Sequence, residues 1–121
     1  MQVLDVIEVS NKQEQQLFLY LTTKGWKTRR QHTIEIWFVS YAGKYYVISE
    51  RKEKAHWVQN IIHDERVLFT VNSKSFEGVG RIVDKHIDSK LAEAVSNLMY
   101  KKYGWCDGLI VELTPYKEQV E

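Results

Sequence analysis

The segment Gln16–Thr23, QLFLYLTT, places Leu17, Leu19 and Leu21 on one face of an extended chain and Phe18 and Tyr20 on the other. A strand that is apolar on both faces needs cover on both. Gly25 then permits a sharp turn. A second strand follows at about Thr33–Tyr41, with Ile34, Ile36 and Phe38 directed one way and Glu35, Trp37 and Val39 the other. Ala42 and Gly43 turn the chain into a third strand, Lys44–Ser49. Strand-forming segments on such close spacing predict an antiparallel meander.

The period changes in residues 52 to 63, KEKAHWVQNIIH. Ala55, Val58 and Ile62 recur at helical spacing, and Trp57 and Ile61 widen the stripe, so an amphipathic helix is expected. Val67, Phe69 and Val71 then alternate with Leu68 and Thr70; Asn72–Ser75 carries turn chemistry, and Phe76 to Val83 is the returning strand. Asp88 or Ser89 can cap a second helix. Its buried face is predicted as Leu91, Ala94, Val95, Leu98 and Met99, and Gly104 ends it. The last strand is Leu109 to Leu113, and Val3–Val9 offers a further one. The expected class is therefore mainly β: a closed or nearly closed barrel of about six mostly antiparallel strands with two helices. Closure also removes exposed strand edges.

The length of 121 residues fits one domain, residues 1–121, with no linker and no repeat. A hydrophobic content of 44%, rich in aromatic and β-branched residues, argues against disorder. The net charge of +1 argues against a general nucleic-acid or membrane-surface binder and leaves charge a local role. Cys106 is the single cysteine, which removes an internal disulfide and a cysteine metal cluster. No apolar run approaches the roughly 20 residues of a membrane span. Residues 1 to 13 lack the basic start and apolar centre of a signal peptide, so the protein is expected in the cytoplasm.

Charge does concentrate in one place. Between Thr22 and Ile34 there is no acidic residue, yet Lys24, Lys27, Arg29 and Arg30 sit there, followed by His32. Four cations in one short connection repel one another unless solvent or an anion screens them. Arg presents a flat fork of donors that matches phosphate or carboxylate oxygens. Gly25 would let the backbone approach such a group, Thr28 adds a hydroxyl, and His32 adds a cation when protonated. A solvated hairpin tip is the competing reading, and the phosphate-loop pattern G-x-x-x-x-G-K-[ST] is absent.

Gly78 and Gly80 leave one face of a strand bare. That suits a barrel corner, the favoured reading, or close approach of a flat ligand. Trp37 and Trp57 suit core packing or stacking on a ring system, and Trp57 lies on the apolar stripe of its helix. His32, His56, His63 and His86 show no metal-ligand spacing.

The stretches LTTKGWKTRRQHTIEIWFV, YYVISE and KAHWVQNI resemble the deazaflavin-dependent nitroreductase family, within the wider group of pyridoxamine 5'-phosphate oxidase-like split barrels. Family members carry a stretch like T-T-x-G-R-K-S-G-x-P-R at the first hairpin and a tryptophan near the start of the following helix. The likeness covers about residues 17 to 83. It implies a split β-barrel that pairs into a homodimer, with a flavin-type or deazaflavin cofactor in a groove near the dimer interface and its phosphate held by the basic hairpin. On this likeness Gly25, Lys27 and Thr28 match the family glycine, lysine and serine. Ser49 matches a position beside the ring and ribityl chain, and Trp57 matches the helix tryptophan. Trp26 stands where an arginine is usual, Arg29 replaces the second glycine, Gln31 the proline and His32 the following arginine, so the loop keeps its charge but moves it. Arg29, Arg30 and His32 are therefore expected to share in holding the anion.

The resemblance implies an oxidoreductase that moves a hydride between its cofactor, FMN or the deazaflavin coenzyme F-420, and a small organic substrate. The longer anionic tail of the deazaflavin suits the spread of cations from Lys24 to Arg30. Two other classes compete: a barrel that binds the cofactor without turnover, and a small barrel that binds single-stranded nucleic acid through Trp26, Trp37 and the basic loop. Confinement of the charge to one loop weighs against nucleic acid.

Overall fold

The computed structural model describes residues 16–119. Six strands form a closed, fully antiparallel barrel in the order β1-β2-β3-β6-β5-β4. They are β1 (Phe18–Lys24), β2 (Gln31–Tyr41), β3 (Lys44–Ser49), β4 (Arg66–Val71), β5 (Lys74–Ile82) and β6 (Leu109–Gln119). A 3-10 turn at Lys52–Lys54 and helix α1 (His56–His63) link β3 to β4, and helix α2 (Ser89–Tyr103) links β5 to β6. The predicted extra strand at Val3–Val9 lies outside the described residues. The two tight hairpins turn where expected, with positive φ at Ala42 (51°) and Gly43 (79°), and at Asn72 (51°) and Ser73 (65°).

Two packed layers follow from the alternation. Leu19, Leu21, Phe38, Val47, Phe69 and Val111 point into the barrel. Tyr46, Ile48 and Ile110 point outward under α2, where Ala92, Val95 and Met99 cover them. So among the described residues β3 and β6, rather than β1, are covered on both faces. On β1 the Leu19–Leu21 face is fully buried, while Phe18 and Tyr20 are exposed among the described residues, since neither described helix crosses their side.

Both helices differ from the pattern read from periodicity. The expected helix over residues 52 to 63 breaks at Ala55, whose backbone is extended. The Ser49 hydroxyl donates to the Lys52 carbonyl at 2.9 Å, so a side chain satisfies a group that a continuous helix would use. Within α1, Val58 and Ile61 are buried as expected, but Ile62 is exposed and Asn60 takes a buried place. In α2, Ala92 joins Val95 and Met99 at the centre of the stripe, with Leu91, Ala94 and Leu98 half-buried on its flanks. Asp88 precedes the helix without a side-chain cap bond, because its carboxylate pairs with Arg81 at 3.0 Å. Gly104 ends α2 with φ 73°.

The bare glycine face is a barrel corner. The β5–β6 register shifts between Glu77 and Gly78. A Cβ on Gly78 would strike the Thr114 carbonyl oxygen, and one on Gly80 would meet the Ile61 side chain at 3.1 Å. Backbone and helix therefore fill the space that a flat ligand would need.

Candidate functional site

The basic connection folds back on itself. The Gly25 N–H donates to the Arg30 carbonyl at 2.7 Å and the Arg29 N–H donates to the Gly25 carbonyl at 2.7 Å. Closing so short a loop puts Arg29 at φ 65°, the conformation that a glycine adopts without strain. The Thr28 hydroxyl accepts from the Arg30 N–H at 3.2 Å and lies 3.4 Å from His32 Nε2. Gly25 is required here: a Cβ would come within 2.5 Å of Thr28 Oγ1 and 3.0 Å of His32 Nε2.

The loop is anchored to α1 through Trp26. Its N–H donates to Asn60 Oδ1 at 3.2 Å, and Asn60 Nδ2 donates to Thr23 Oγ1 at 3.0 Å. Thr23 and Asn60 are both buried, so these bonds satisfy polar groups that could not reach water. The Trp26 ring stacks on His63, and Lys27 Nζ lies 5.0 Å from the Trp26 ring centroid.

Between this loop, β2, the end of β3 and α1 lies a cleft of about 830 Å³. Its apolar wall is built from Ile34, Ile36, Ile48, Ala55 and Trp57. Lys27, Thr28 and His32 stand on the loop side, and Arg51 and His56 line it from the α1 side. Glu35 and Glu50 also line it, so the lining carries both signs of charge. The Ser49 hydroxyl commits its proton to Lys52, which leaves it free only to accept from a ligand.

Of the residues expected to bind a cofactor, Gly25, Lys27, Thr28, His32, Ser49 and Trp57 come together in this lining, while Arg29 and Arg30 stand exposed on the loop outside it. Sequence reasoning missed Asn60, Arg51 and His56. Asn60 left a trace as a polar residue inside the apolar run VQNII; Arg51 and His56 left none, because ordinary polar and charged side chains flank helices everywhere. Among the described residues no group of three or more His, Cys, Asp or Glu side chains could hold a metal ion.

An apolar slot with convergent polar groups at its edge is the usual form of a small-molecule site, and its volume falls within the ordinary range of about 300–1,000 Å³. Cations on the loop and a half-buried Trp57 suit a flat molecule with an anionic tail.

Residues 2–105 match the profile of the family described as F420H(2)-dependent quinone reductase. No curated protein sequence matches the chain. Among solved structures, the heme storage protein HutZ from Vibrio cholerae superposes with a TM-score of 0.73 at 19% identity, over 91% of this chain and 89% of that one. A putative pyridoxamine 5'-phosphate oxidase from Listeria innocua gives 0.69 at 11% identity, over 93% and 94%. A protein described as an F420 reductase gives 0.62 at 16% identity, over 91% and 94%. At these identities the structural likeness is one of fold.

Proposed function

The chain belongs to the F420H(2)-dependent quinone reductase family, and from that premise we propose that its cleft binds the deazaflavin coenzyme F-420 and that the protein is an oxidoreductase acting on a small organic molecule. The observation that carries this reading is that the cationic loop and the apolar slot are one continuous surface. Lys27, Thr28 and His32 share a lining with Ser49 and Trp57.

In this reading Lys27, Thr28 and His32 hold the cofactor phosphate, with Gly25 letting the loop close tightly enough to bring Thr28 and His32 together. Ser49 accepts a hydrogen bond from the ribityl chain or ring, and Trp57 packs beside the ring. Ile34, Ile36 and Ile48 keep water from the reacting face. The bound deazaflavin supplies the hydride chemistry; the chain binds, orients and shields it. FMN is the rival occupant, and binding without turnover is the rival role. Single-stranded nucleic acid fits less well, because the net charge is only +1 and the basic cluster is confined to one loop rather than spread along a track.

The protein is also taken to be a cytoplasmic homodimer. Phe18 and Trp37, paired across β1 and β2, and Tyr20 beside them form an exposed aromatic face of a kind that a second copy would cover. No helix among the described residues is long and apolar enough to cross a membrane.

Titrating the purified protein with F-420 and with FMN tests the cofactor. Following the oxidation of reduced F-420 in the presence of a quinone such as menadione tests turnover. Saturable binding of F-420 with quinone-dependent oxidation is the expected result; tighter binding of FMN, or of neither, overturns it.

A further inference from the structure

A second cleft, of about 600 Å³, opens where the C-terminal end of α2 meets the ends of β2, β3 and β4. Phe38, Val39, Val71 and Leu98 give it apolar walls, and Ser40 and Asn72 add neutral polar groups. Gln16 also lines it, and among the described residues its charged members are Lys101 and Lys102, with no acid.

Lys102 is the unusual member. Its ammonium donates to the Phe38 carbonyl at 3.0 Å and lies 4.0 Å from the Phe38 ring centroid and 5.0 Å from that of Tyr103. Ion pairs among the described residues engage Lys44, Arg66, Arg81 and Lys117, not Lys102. An ammonium has three donors, and the carbonyl takes one. Burial pulls its pKa down to about 8. The titratable groups around it are Lys101 and Tyr103 on α2 and Tyr45 on β3, and none of the three is a carboxylic acid.

A half-buried cation with spare donors, at the edge of an apolar cleft that holds no acid among the described residues, suits an anionic ligand group. We propose that this cleft is a second ligand site, which takes a small carboxylate with an apolar body, the carboxylate on Lys102 and the body against Phe38, Val71 and Leu98. The site is separate from the cofactor cleft and does not depend on what that cleft binds. A bound carboxylate favours protonated Lys102, so binding takes up a proton near the Lys102 pKa and weakens as pH rises through it.

Benzoate, with neutral benzamide as its control, is the probe for the full-length protein. In a titration followed by amide NMR, benzoate is expected to shift Ser40, Asn72 and Leu98, and benzamide to bind about tenfold or more weakly. From about pH 7 to about pH 9.5 the wild-type affinity for benzoate should fall about tenfold or more. Lys102→Met should lose most of the affinity. Lys102→Arg, which keeps its charge across this range, should retain binding and lose the pH dependence. Shifts confined to Thr28, His32 and Ser49, equal binding of benzamide, or a Lys102→Arg profile that still falls with pH would each overturn the proposal.

Discussion

The Trp26 ring lies flat on the His63 ring, with centroids 4.1 Å apart and planes 7° from parallel. The family likeness leads one to look for an arginine at Trp26 that contributes charge. Here the side chain instead ties the cationic loop to the helix across the cleft. Stacked aromatic pairs contribute about 0.5–1.5 kcal/mol beyond their burial. Trp26→Ala should therefore weaken cofactor binding about two- to tenfold by loosening the loop, with a small change in thermal stability. A double-mutant cycle with His63→Ala checks the origin: the two losses should overlap rather than add.

Lys27 and Arg29 differ in place although they are two residues apart. Lys27 lines the cleft and Arg29 does not. Lys27→Ala should reduce cofactor affinity about tenfold or more, the range of a lost charge-assisted hydrogen bond. Arg29→Gly should leave affinity nearly unchanged and raise stability by about 1 kcal/mol, because glycine relieves the positive φ. Fluorescence titration and thermal unfolding of the two variants decide the matter; comparable losses of affinity would place the phosphate on the Arg29 side.

Acid stability should report on Glu112. This buried carboxylate accepts from the Tyr46 hydroxyl at 2.8 Å and from Arg81 Nε at 3.1 Å. Burial pushes its pKa up, but the bonds from Arg81 and Tyr46, with the charges of Arg81 and Lys44, outweigh it and hold the carboxyl below its usual range. A carboxyl depressed in the folded state stabilises above its unfolded pKa and loses that contribution as pH falls through the folded value. Stability should therefore decline below about pH 4.3 as Glu112 is protonated. Asp64, held at about 2 chiefly by its hydrogen bonds from Arg66, acts in the same sense and loses its contribution as pH falls towards 2. At neutral pH, Glu112→Gln leaves half-exposed Arg81 paired with Asp88 alone and should cost about 1–2 kcal/mol. Its acid-unfolding curve should also be shallower than that of the wild type.

The two corner glycines should differ in tolerance. Gly78→Ala drives a methyl group into the Thr114 backbone carbonyl, which cannot move without disturbing β6. Gly80→Ala meets only the flexible Ile61 side chain at 3.1 Å. Overpacking costs of about 1–3 kcal/mol apply, with Gly78→Ala at or above the upper end and Gly80→Ala near the lower. Denaturant unfolding of both variants tests the order.

The strands and the two tight hairpins were legible because their causes are local, whereas those of the pairings of β3 with β6 and of β1 with β4 are not. The alternation of QLFLYLTT and KYYVIS, and the turns at Ala42-Gly43 and Asn72-Ser73, need only neighbouring residues to act. So did the cationic loop and the place of Gly25, Lys27 and Thr28 on it. The helix faces were legible only in part. A stripe read by period cannot tell that Ile62 faces out and Asn60 in, since that depends on what α1 packs against.

The sequence by itself determined the repeating strand pattern, and hence a barrel, together with the one place where positive charge gathers. Tertiary structure alone decided the role of Asn60, bonded to Thr23 across 37 residues, and of Glu112, bonded to Tyr46 across 66. It also decided that Lys102 lies against Phe38. Periodicity and turn chemistry are written in adjacent residues, whereas the partner of a buried polar group is chosen by which distant strand or helix the closed barrel brings against it.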